Sequence, residues 1–132
     1  MTHPILALQG PLVAALRTDS ELVALAPVVD APPKGTSPPY VTIARHDLLP
    51  RDGDETPGNE HRIIFHAWVG DASRKAVVAI AERLVTVALS ADLDGELAVT
   101  LRRHDRTDTA IDTATGRARA AIAMTFFTEP HS

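Results

Sequence analysis

Three histidines, His46, His61 and His66, stand on two neighbouring stretches of the chain, and imidazole is the side chain best suited to ligate a metal or move a proton near neutral pH. A zinc site needs three or four converging ligands with a supporting outer shell. His46 and His61 can approach each other across a hairpin. His61 and His66 differ by an odd number of positions, so an extended strand turns them to opposite sides. Structural or solvated histidines are therefore the expectation. Asp52, Asp54 and Glu55 lie together with Gly53 and imitate a calcium loop at first sight. The next five residues, Thr56-Pro57-Gly58-Asn59-Glu60, lack the ligand spacing of an EF-hand, so solvated loop charge is expected. There is no Gly-x-Ser-x-Gly, no phosphate-binding glycine loop and no dinucleotide fingerprint. No catalytic residue, cofactor or metal site is assigned.

The arginines offer a different chemistry. Arg102, Arg103 and Arg106 end one candidate strand, and Arg117 and Arg119 begin the next. Across a hairpin the five form a basic patch. They are either solvated strand ends paired with Asp105, Asp108 and Asp112, or a contact with an acidic neighbour or with DNA passing through a ring. The acidic run Asp52, Asp54, Glu55 and Glu60 is the natural counterpart in a head-to-tail assembly.

Composition narrows the classes. A length of 132 residues suits one domain with a real core. A hydrophobic share of 45% argues against a disordered chain. Net charge is 13 − 17 = −4, which disfavours a stand-alone nucleic-acid binder. The absence of cysteine excludes a disulfide scaffold and a thiolate zinc site. No apolar run approaches the roughly 20 residues that span a bilayer. Met1-Thr2-His3-Pro4 lacks the features of a signal peptide. A cytoplasmic protein without a membrane partner is expected.

The elements that must position these residues are legible in outline. Pro4 to Arg17 reads as a helix with Ile5, Leu8, Leu12 and Leu16 on one face. Gly10-Pro11 marks a kink or a later start, since proline inside a helix costs about 3 kcal/mol. Asp19 or Ser20 caps a short second helix, Glu21 to Ala26, ended by Pro27. The helical region is thus 4–26. Val28-Val29 reads as a short strand, and 31–39 as a proline-rich connector. Sheet and helix occupy 40–128. A strand from Tyr40 to Leu48 precedes the polar loop Pro50 to Glu60. In the next strand Ile63, Phe65, Ala67 and Val69 share one face, and Arg62, Ile64, His66 and Trp68 the other. Apolar groups on both faces point to a helix on one side and a further cover, such as a partner subunit, on the other. Asp71 or Ser73 caps a helix to about Ser90 with a stripe of Ala76, Val77, Ile80, Ala81, Leu84, Val85 and Ala88. Leu97 to Asp108 is a strand with Leu97, Val99 and Leu101 inward. The closing strand, Arg117 to Thr128, turns Ala118, Ala120, Ile122, Met124 and Phe126 to one face. The fold class is α+β: a mostly antiparallel sheet of four or five strands, one long helix packed across it, and an N-terminal helix.

The amphipathic start followed by Asp19-Ser20-Glu21-Leu22, the strands Pro38-Pro39-Tyr40-Val41-Thr42-Ile43 and Glu60-His61-Arg62-Ile63-Ile64-Phe65-His66-Ala67-Trp68, the long helix after Gly70, and the closing Ala121-Ile122-Ala123-Met124-Thr125-Phe126-Phe127-Thr128-Glu129-Pro130 come in a telling order. In that order, over nearly the whole chain, they resemble the tail-completion, or tail terminator, family of long-tailed phages and gene transfer agents. The resemblance implies a structural, non-enzymatic domain over residues 1–132. It implies a homo-oligomeric ring, typically a hexamer, on the head-proximal end of the tail tube. The ring would end tube polymerisation and meet the tail tube protein and the head's connector or stopper. DNA would pass through its lumen without sequence-specific binding. The expected location is the bacterial cytoplasm during assembly and then the particle. The alternatives are a connector or stopper of the same neck region and, from a different class, a small α+β enzyme or ligand-binding domain.

Overall fold

The computed structural model describes residues 2–32, 34–51 and 57–131. The element order is α1 (Pro4–Thr18), α2 (Ser20–Leu25), β1 (Tyr40–Pro50), β2 (Asn59–Val69), α3 (Arg74–Ser90), β3 (Leu97–Asp112) and β4 (Arg117–Pro130). The four strands form one antiparallel sheet in the order β1-β2-β4-β3. The chain leaves β2 through α3, lands on the far edge as β3, and returns as β4 into the gap. β2 and β3 therefore run parallel with β4 between them, and parallel strands need a crossover of the kind α3 provides. The expected α+β architecture is present, with four strands.

Local chemistry accounts for the ends. Asp19 caps α2 by accepting from Leu22 N at 2.9 Å, and Ser73 caps α3 by accepting from Ala76 N at 3.0 Å. Pro11 does not break α1, which runs unbroken past it. Burial of Leu8, Leu12 and Leu16 under that helix outweighs one lost backbone hydrogen bond. Val28 makes only an isolated parallel bridge to Val41 rather than a strand. Gly116 closes the β3–β4 hairpin at φ +71, where a Cβ would be strained.

Helices α1, α2 and α3 lie on one face of the sheet. Beneath α3 and α1 the core joins Ile63, Phe65 and Ala67 of β2, Ala118, Ala120, Ile122, Met124 and Phe126 of β4, Val77, Ile80, Ala81 and Leu84 of α3, and Leu8, Leu12 and Leu16 of α1. Two details depart from the periodicity. Val87 is buried, so the stripe of α3 extends toward α1. Leu101 is 39% exposed instead of inward. A bulge between Val99 and Leu101 inverts the alternation, turning Leu101 out and Arg102 in, and a second bulge between His104 and Arg106 restores it.

Phe65 is fully buried at the crossing of β2 with the helices. Phe65→Ala is expected to cost about 3–5 kcal/mol of stability, read in urea as a lower midpoint at unchanged slope.

Candidate functional site

Among the described residues the opposite face of the sheet carries no helix. Its residues follow from the register: Asp47, Arg62, Thr125 and Arg103 form one row, Arg45, Ile64, Ala123 and Arg106 the next, then Thr42, His66, Ala121 and Asp108, then Tyr40, Trp68, Arg119 and Ala110. Phe127 and Leu101 sit beside each other at one end, next to Glu60. The face is a field of arginines and carboxylates with aromatic and aliphatic groups between them.

Its charges pair locally. Residues two apart on a strand share a face, and four ion pairs obey that spacing. They are Arg45–Asp47 at 2.9 Å, Arg62–Glu60 at 2.6 Å, Arg103–Asp105 at 2.7 Å and Arg106–Asp108 at 2.8 Å. Arg119 reaches Asp108 at 3.5 Å, and its Nε has no partner among the described residues. Burial works to raise the Asp105 carboxyl, yet the Thr125 hydroxyl, donating at 2.5 Å, and Arg103 together hold it below the usual carboxylate range. The pairs exposed on both sides, Arg45–Asp47 and Arg106–Asp108, contribute roughly 0–1 kcal/mol each. They leave the guanidinium groups ordered and able to exchange partners at a contact.

The expected interface residues divide. Arg103, Arg106 and Arg119 meet on the helix-free face, and Arg117 joins them opposite Asp112 at the hairpin. Arg102 is elsewhere. It faces the helices and donates to the carbonyl oxygens of Ala88 at 3.2 Å and Ala91 at 2.5 Å, closing the C-terminal end of α3. Glu60 is not part of a projecting loop. It is the second residue of β2, only 3% exposed, and gripped by Arg62 and by Arg51 at 2.6 Å. The Arg62 hydrogen bond, against the cost of desolvation and with help from Arg51, holds its carboxyl below the usual range. Asp52, Asp54 and Glu55 lie outside the described residues.

Two other polar groupings are present. A cleft of about 620 Å³ lies between α1 and α3 over Asp19 and Arg83. Those two join in a bidentate pair at 2.6 and 2.8 Å, and the Arg83 hydrogen bond, then Leu22 N–H, push Asp19 down to about 2. The pair ties α3 to the cap of α2 and neutralises the cleft's main charges. The second grouping is His46 and His61, whose rings meet across the hairpin with His46 Nε2 and His61 Nδ1 at 2.8 Å. His61 faces the helices and His66 the open side, as their spacing requires. Desolvation, the larger influence, pushes both His46 and His61 down to about 4. Gln9 and Thr128 complete this grouping and are 37 and 67 residues from their partners, so strand alternation alone does not reveal them. Among the described residues no cluster of three or more His, Cys, Asp or Glu could hold a metal ion.

The profile of the family described as tail completion protein gp17 matches residues 10–128 of the chain. The chain belongs to this family. It is a family of structural phage tail proteins. The fold is shared with two solved structures. One is a chain of the virion of a native gene transfer agent particle, at TM-score 0.83 and 19% identity, with 97% of this chain and 99% of that chain covered. The other is the gp17 protein of bacteriophage SPP1, at TM-score 0.63 and 22% identity, covering 91% of this chain and 87% of that one. No curated protein sequence matches this chain.

The histidines make stability depend on acid. Their folded values lie below the ordinary 6.5, so the unfolded chain takes up protons first. Stability is full above pH 6.5 and falls as the pH drops from there through about 4, by about 1.4 kcal/mol per pH unit for each proton taken up. Urea midpoints measured from pH 7.5 to 4 are expected to show that decline, and a His46→Gln, His61→Gln variant a flatter profile.

Proposed function

We propose that the chain acts as a single domain that closes with copies of itself into a ring on the head-proximal end of a phage or gene transfer agent tail tube, ends polymerisation of the tube and joins tail to head. The observation that carries this is the family match over residues 10–128. The fold likeness over 97% of the chain to a chain of a gene transfer agent particle supports a place in the tail of such a particle; assembly in the bacterial cytoplasm is part of the same proposal. The working surface is the helix-free face of the sheet. A ring of one repeated subunit needs two different patches that fit each other. Arg103, Arg106, Arg117 and Arg119 supply one. Asp52, Asp54 and Glu55 of the neighbouring copy, with a charge opposite to theirs, supply the other, while Arg102 holds the end of α3 and Glu60 stays engaged by Arg51 and Arg62 of its own copy. The neighbours are the tail tube subunit on one side and the connector or stopper on the other, with DNA in the lumen held by no sequence-specific contact. The function needs shape and charge, not reactive groups, so the protein is not an enzyme.

Particles assembled without this chain are expected to show tails of uncontrolled length or tails detached from heads in electron micrographs. Normal, joined particles would refute the role. For the contact, a variant carrying Arg103→Glu and Arg106→Glu is expected to lose oligomer mass in low salt. Adding Asp52→Lys and Asp54→Lys should restore it. Equal masses for all variants would rule out this pairing while leaving the tail role standing.

A further inference from the structure

Tyr40, Trp68, Arg119 and Ala110 stand side by side across the four strands of the helix-free face. Tyrosine, tryptophan and arginine are the side chains that carry most of the binding energy at protein contacts. Trp68 and Arg119 border a cleft of about 260 Å³ with Ala110, Ile111 and Asp112. The small Ala110 directly opposite Arg119 leaves room for it. Arg119 is also more loosely paired than its neighbours. Arg45, Arg62, Arg103 and Arg106 each hold a carboxylate at 2.6–2.9 Å. Arg119 reaches Asp108 Oδ1 only at 3.5 Å, and Asp108 Oδ2 is already held by Arg106 at 2.8 Å. Arg119 Nε is enclosed without an acceptor among the described residues, although enclosed donors are nearly always satisfied. The charges nearby do not compensate it. Asp108 is committed to Arg106. Asp112 lies opposite Arg117 and accepts from Ala114 N–H at 3.0 Å and from the Thr115 hydroxyl at 3.1 Å. His66, one row away, senses the surplus: burial and then Arg119 push it below its ordinary value against the opposing pull of Asp108.

We propose, on the reading that the helix-free face is a contact surface, that this cleft is its anchor and receives one carboxylate side chain of a partner protein on the Arg119 guanidinium, with Trp68 and Tyr40 packing against the stem of that side chain. A guanidinium presents parallel N–H donors that match the two oxygens of a carboxylate. The incoming group replaces only the 3.5 Å contact to Asp108, which keeps Arg106, so no charge is stranded. Water driven from beside Trp68 strengthens the new pair. The volume fits one side chain and falls short of the roughly 300–1,000 Å³ of a small-molecule site. Nucleic acid is a poor occupant. A phosphate backbone needs a track of cations, and on this face Asp47, Asp105 and Asp108 alternate with the arginines. Arg103 and Arg106, each held by its own carboxylate, act at the rim, where charge governs the rate of encounter more than affinity.

Particles lacking this chain and supplied with variants test the anchor, read as the amount of chain retained in purified particles. Arg119→Gln removes the charge. Ala110→Leu fills the cleft from an exposed position and leaves every charge in place. Each is expected to lower retention about tenfold or more, and Arg74→Gln, exposed on α3, should leave it unchanged. Urea midpoints of the free variants check the fold, and Ala110→Leu decides alone should Arg119→Gln not fold. Normal retention of either folded variant, or an equal loss in Arg74→Gln, would overturn the anchor. If the Arg103→Glu, Arg106→Glu variant is still lost from particles, the contact surface survives that result; if it too is retained, the surface falls with the anchor. Trp68 fluorescence separates the ligand chemistries. A short oligothymidine single strand should leave the emission of the free chain unchanged. Saturable quenching by it that disappears in Arg119→Gln would assign the cleft to phosphate and overturn the carboxylate.

Discussion

Everything in this fold depends on a sheet that has helices on only one side. An antiparallel sheet tolerates this, because each strand alternates and can be apolar toward the helices and polar toward water. The two central strands do alternate in that way: Ile63, Phe65 and Ala67 on β2 and Ala120, Ile122 and Met124 on β4 are buried under α1 and α3. Yet the open side is not simply polar. Ile64, Trp68, Ala121, Ala123 and Phe127 interrupt the charges there. A face of that mixture suits contact with another protein, whose core is apolar and whose rim is charged.

The charge arrangement on that side follows from the same period of two. Arg45 with Asp47, Arg62 with Glu60, Arg103 with Asp105 and Arg106 with Asp108 are neighbours on one strand face. Those exposed on both sides, Arg45–Asp47 and Arg106–Asp108, add little stability in water. Their physical consequence is orientation, since each guanidinium is held in place before any partner arrives. Less side-chain freedom then remains to be lost on association. The cleft between α1 and α3 is spanned by the mutually neutralised Asp19 and Arg83.

Where alternation or capping chemistry is local, the sequence was enough to read the structure. The two faces of β2 and β4, the Ser73 cap and the approach of His46 to His61 all follow from spacing. Where one inserted residue or one distant partner decides, it was not. The bulge after Val99 sends Leu101 outward and Arg102 to the end of α3, and nothing in the local pattern marks it. Glu60 reads as loop charge until Arg51 and Arg62 are seen to enclose it. Gln9 and Thr128 join the histidines only because the topology brings α1 and β4 to the β1–β2 hairpin. Order of elements, by contrast, survives such local surprises, which is why family membership was legible while the face carrying each arginine was not.

The sharpest test uses Trp68, the chain's single tryptophan, which stands on the helix-free face beside Arg119. Acrylamide quenching of its fluorescence in the free protein and in assembled tails compares its access to solvent directly. A marked loss of quenching on assembly is expected if that face is the contact surface; equal quenching in both states would contradict it.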